Sequence, residues 1–145
     1  MTPRRPLLLY LMLLAFALLA IVNCLQWVQA LQSASWLKIF GYFPSPIYAV
    51  FEGFFFMLLF MANLISLWFR MSYAPRLGGL SLAVYVGWSW INRLWLTTNP
   101  IPFVNQLFAL GVSLILLLLA EFSLFLLEPF MHRGDVMQEM EEKND

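Results

Sequence analysis

Residues 48–69 read YAVFEGFFFMLLFMANLISLWF, and this stretch decides the fold. Its length matches the ~20 apolar residues that a helix needs to cross hydrocarbon. Glu52 is the only charge in it. A carboxylate at that depth costs about 3 kcal/mol on insertion scales, so it calls for a partner or a use. Working outward, comparable apolar segments run from Pro6 to Val28, from Leu77 to Leu96 and from Phe103 to Leu127. The expected fold is therefore all-α: an integral membrane four-helix bundle with helices at about 6–28, 48–69, 77–96 and 103–127. The connections at 70–76 and 97–102 are short, which predicts antiparallel, up-down-up-down neighbours. A transmembrane domain over 1–128 is then followed by a polar, acidic cytoplasmic tail over 129–145, with Glu139, Glu141, Glu142 and Asp145.

Composition points the same way. The chain is 62% hydrophobic and 11% charged, where soluble domains carry roughly a quarter charged residues. So much apolar surface needs lipid as solvent. Net charge is zero and no basic arm is present, which gives no footing for nucleic acid. Cys24 is the lone cysteine, so an intramolecular disulfide and a CxxC site are excluded. His132 is the lone histidine, so one chain cannot hold a haem between two histidines. No nucleophile–base pair, metal-ligand set or phosphate loop is present; no catalytic residue, metal ligand or cofactor is assigned.

Orientation follows from Lys and Arg. Arg4 and Arg5 precede the first segment, Arg70 and Arg76 flank the second connection, and Arg133 and Lys143 follow the last segment. With both termini cytoplasmic, all of these fall inside, which predicts a multi-pass protein of the cell membrane. Arg4, Arg5 and Val28-Gln29-Ala30 also fit a signal peptide, but the apolar run is long for one and is read as the first span. The first outer connection, 29–47, divides into an interfacial segment (31–40, with Trp36, Leu37, Ile39 and Phe40) and a turn (41–46).

Polar residues in spanning helices face the bundle interior. At about 3.6 residues per turn, Glu52, Phe56, Leu59, Asn63 and Ser66 share one stripe, and Ser81, Tyr85, Ser89 and Asn92 share another. Asn23 and Gln26, Glu52, Asn92 and Arg93, and Asn105 and Gln106 all lie towards the outer leaflet. The expectation is a polar cluster there, built from Glu52, Arg93, Asn92, Asn23, Gln26 and Asn105. Its centre would be a Glu52–Arg93 pair, because a planar guanidinium matches a carboxylate. Glu121 lies about 160° around the last helix from Asn105, on an apolar stripe facing lipid or a partner. It is expected to pair with Arg70 or Arg76, or with another subunit.

These features point first to an accessory or scaffold subunit of a membrane complex without catalytic machinery. The alternative is an outward-facing binding or transport module for a small hydrophobic or cationic ligand, using Glu52 and Arg93. A cavity beside Glu52 and Asn92 would favour the second, and a close-packed centre the first. Both place the chain in the lipid bilayer, as a homo-oligomer or part of a larger membrane complex.

Overall fold

The computed structural model of the chain describes residues 6–39, 46–96 and 103–142. The elements are α1 (Leu7–Ile39), α2 (Pro46–Trp68), α3 (Ala74–Ile91) and α4 (Phe103–Glu142); α3 runs on into a π-helical turn, Asn92–Leu96. Among the described residues there is no strand. Three stretches, Leu7–Gln32, Ile47–Trp68 and Asn105–Met131, are long and apolar enough to cross a membrane. α3 is shorter, and Arg76, three glycines and Ser81 and Ser89 dilute its hydropathy.

Each boundary that departs from expectation has a local cause. The separate interfacial segment does not form: α1 continues unbroken to Ile39. Residues 29–39 contain no glycine or proline to interrupt the hydrogen-bond ladder, and the first glycine comes at Gly41. α3 begins at Ala74, not Leu77, with Pro75 in its first turn, where a missing N–H leaves nothing unsatisfied. α4 passes through Pro129 and ends at Glu142, so most of the polar, acidic stretch is helical; Met, Gln and Glu there are good helix formers. The turns read at 41–45 and 97–102 lie outside the described residues.

Between α2 and α3 the chain reverses tightly. The Met71 amide bonds the Ser66 carbonyl at 3.0 Å and the Arg70 amide bonds the Leu67 carbonyl at 3.2 Å. This is the Schellman ending of a helix, which places one residue in the left-handed region. That residue is Arg70, at φ 55°.

α1 packs on α2 along the most extensive of the interfaces, α3 packs on both α2 and α4, and α4 touches α1. Phe16 meets Phe60 with ring centroids 6.0 Å apart, and Trp27 meets Phe54 at 5.4 Å. The backbones of α1 and α2 approach closely at Gly53: a Cβ there would lie 2.9 Å from the Trp27 amide nitrogen.

The core is concentrated at one end. Leu9 and Leu13 of α1, Leu67 of α2, Ala74 of α3, and Leu127 and Met131 of α4 are all buried in one cluster. At the other end, no described residue of α3 beyond Ser81 is buried, nor any of α4 before Leu124. The bundle is closed where the start of α1, the end of α2, the start of α3 and the end of α4 meet, and it splays open beyond.

Candidate functional site

The splayed end holds the polar residues of interest. Glu52 sits on the stripe of α2 that also carries Phe56, Asn63 and Ser66, all three buried. One turn before Glu52, at the i−4 position, stands Tyr48. On α3, Asn92 stands one turn beyond Trp88. The Asn92 side-chain amide donates to Glu52 Oε1, and the Tyr48 hydroxyl donates to Asn92 Oδ1. Trp88 lines the same groove as Glu52 and Tyr48. Its indole also stacks on the Tyr48 ring at 6.2 Å between centroids. Asn92 thus uses both ends of its amide, one to hold the carboxylate and one to hold the phenol.

Tyr48, Glu52 and Trp88 form part of the wall of a groove of about 490 Å³ between α2 and α3. Phe51, Phe55, Phe56 and Val84 make up the rest of the wall. Glu52 is therefore a half-buried carboxylate set in a pocket of aromatic faces. Ligand pockets commonly measure ~300–1,000 Å³ and combine apolar walls with a few convergent polar groups.

The expected pairing of Glu52 with Arg93 does not form. No ion pair joins the two among the described residues. The reason is angular: successive helical residues diverge by about 100°, so once Asn92 faces α2, Arg93 must point away. Its guanidinium carbon lies 5.3 Å from the centre of the Trp90 ring instead. The Arg93 Nε is buried without an acceptor. Both residues fall in or beside the π-turn, a local insertion that often marks functional positions in helices.

The other expected members disperse. Asn23 is buried at the α1–α2 crossing, where its amide bonds the Leu19 carbonyl of its own helix at 2.8 Å. Gln26 and Asn105 are exposed. Glu121 takes neither Arg70 nor Arg76: Arg76 pairs with Glu128, Nη2 to Oε1 at 2.7 Å and Nε to Oε1 at 3.0 Å. Glu128 is two turns further along α4 and level with the start of α3, so it is better placed than Glu121. The Glu121 carboxylate instead rests against Gly79, where any side chain would collide with it. It lies in the α3–α4 interface, not on an outward stripe.

Sequence reasoning missed Tyr48 and Trp88. The signal was available, since each lies four residues from a polar member of the cluster and therefore on the same helix face. A second polar contact, from Asn63 Nδ2 to Ser81 Oγ at 2.8 Å, ties α2 to α3 nearer the closed end. Among the described residues no group of His, Cys, Asp and Glu is arranged to hold a metal ion. Comparison with known proteins finds no matching family model, no similar curated protein and no similar solved structure.

Proposed function

We propose that the protein is a multi-pass protein of the cell membrane whose α2–α3 groove binds a hydrophobic organic cation. The observation that carries this is the placement of the Glu52 carboxylate among Tyr48, Phe51, Phe55, Phe56 and Trp88 in an open groove. Aromatic faces attract a cation through their quadrupoles, by about 2 kcal/mol where water is excluded. The carboxylate neutralises the charge, and the apolar wall accepts the organic substituents. Asn92 holds the carboxylate and is itself held by the Tyr48 hydroxyl, so little ordering is left for the ligand to impose.

The membrane setting is part of the proposal. The pairings Trp27 with Phe54, Phe16 with Phe60, Asn63 with Ser81 and Arg76 with Glu128 fit sequential neighbours that run in opposite directions. α3 together with its π-turn would serve as the third of four spans. Large apolar residues exposed along α1, α2 and α4, such as Leu25, Leu58 and Leu118, would face lipid. Both termini and the α2–α3 turn would be cytoplasmic, on the positive-inside rule, and the splayed end would face outward.

The test is titration of detergent-solubilised protein with tetraphenylphosphonium, followed by tryptophan fluorescence. The neutral triphenylphosphine oxide serves as control. The parent protein should prefer the cation. Glu52→Gln should weaken cation binding about tenfold, equivalent to about 1.4 kcal/mol, and leave the neutral compound unaffected. Equal binding of the two compounds by the parent, or no effect of Glu52→Gln, would return the chain to the role of an accessory subunit.

A further inference from the structure

On the opposite flank of α3 lies a second cavity, of about 520 Å³, between α1, α3 and α4. Phe16 and Leu19 line it from α1, Tyr85 and Trp90 from α3, and Leu117 and Ala120 from α4. It exists because α1 and α4 meet only narrowly and because neither α4 before Leu124 nor α3 beyond Ser81 contributes a buried residue. Leu18 and Leu116 also line it and are 54% and 61% exposed, so the cavity opens sideways onto the apolar outer surface of the bundle.

Trp90 links this cavity to a charge. The ring that lines it also carries the Arg93 guanidinium above its face. Arg93 has no acidic partner among the described residues, and its Nε is buried without an acceptor. A guanidinium offers five N–H donors in a planar fork suited to a phosphate or carboxylate. An unsatisfied donor on a charged group in an apolar setting is costly, and an anion would relieve that cost. The groove on the other side of α3 holds the carboxylate, while the guanidinium lies beside this one, over the Trp90 ring that lines it, since Asn92 and Arg93 diverge around the same helix end.

We propose that this cavity is a binding site for an anionic acyl lipid, with the hydrocarbon chain among Phe16, Leu19, Tyr85 and Leu117 and the anionic head on Arg93. Entry is lateral, from the surrounding hydrocarbon. The site requires the membrane setting proposed above but not the cation groove, with which it shares only the framework of α3.

Native mass spectrometry of the detergent-extracted full chain tests it, with dioleoyl phosphatidylglycerol, dioleoyl phosphatidylcholine and oleate added separately. The parent should retain phosphatidylglycerol or oleate about tenfold better than phosphatidylcholine, the scale of one charge-assisted contact. The stronger of the two anions identifies the head as phosphate or carboxylate. Arg93→Gln should abolish the preference and Arg93→Lys should retain most of it. Ala120→Phe, which fills the cavity, should reduce retention of all three. Glu52→Gln should change none of these, which separates failure here from failure of the cation groove. Equal retention of anionic and zwitterionic lipid by the parent would overturn the site. So would a preference that survives Arg93→Gln in protein whose melting temperature matches the parent.

Discussion

Gly53 is the residue on which the closest helix approach depends. A Cβ placed there meets the Trp27 backbone nitrogen at 2.9 Å, the Trp27 Cα at 3.1 Å and the Asn23 carbonyl oxygen at 3.2 Å. All three are main-chain atoms and cannot rotate aside. Gly53→Ala must therefore push α1 from α2, and we expect a loss of about 1–3 kcal/mol, the usual range for overpacking, read by unfolding in mixed micelles. Gly87→Ala is the control: nothing lies within 4 Å of its would-be Cβ, so the substitution should be neutral or slightly stabilising by helix propensity. At this scale the sequence was only partly readable. The stripe of Glu52, Phe56, Asn63 and Ser66 follows from helical periodicity, and it faces inward as expected. The Glu52–Arg93 pairing failed because depth alone was matched. Two residues at one level still point apart unless their azimuths agree, and Asn92 held the azimuth facing α2. Gly53 was overlooked because a single glycine carries no pattern; only its neighbour's backbone reveals why it is there.

At the scale of elements, α3 is tied differently to each neighbour. To α2 it is joined by Asn63–Ser81 near the closed end and by Glu52–Asn92 near the open one. To α4 it is joined by Arg76–Glu128, with Arg76 76% exposed and Glu128 23%. Exposed ion pairs contribute little, with a median of about 0–1 kcal/mol. A double-mutant cycle of Arg76→Ala and Glu128→Ala should therefore give a coupling below about 1 kcal/mol, smaller still in high salt. A coupling of several kcal/mol would place this pair in a far drier setting than its exposure indicates. The existence of all four helices was legible from apolar runs of spanning length, but their ends were not. α1 extends because no glycine or proline interrupts residues 29–39, and α4 continues past Pro129 and Gly134 through good helix formers such as Met, Gln and Glu; hydropathy reports neither.

The molecule as a whole is unevenly packed, tight at the end formed by Leu9, Leu67, Ala74 and Met131 and loose at the end bearing Glu52 and Arg93. Truncations should report this gradient. Leu127→Ala removes a side chain with 0% exposure and should cost about 2–4 kcal/mol, as buried leucines do. Leu116→Ala removes one that is 61% exposed and should cost about 0.5 kcal/mol or less. Comparable losses at both positions would contradict the gradient. The imbalance was not visible in the sequence, because the open half is as apolar as the closed half. What differs is whether all four helices converge, and that depends on close approaches such as Gly78, whose would-be Cβ meets Leu124 and Phe16 at 3.2 Å, rather than on hydropathy.

The lengths of α1 and α4 carry one more consequence. At about 1.5 Å per residue, a 33-residue helix spans about 50 Å and a 40-residue helix about 60 Å, against a hydrocarbon layer of about 30 Å. In the membrane setting proposed above, each rod would overshoot the lipid, α1 beyond Gln32 and α4 beyond Met131, at opposite faces. There each would raise a helical mast into one aqueous compartment, and a soluble protein could grasp either mast without touching the bilayer.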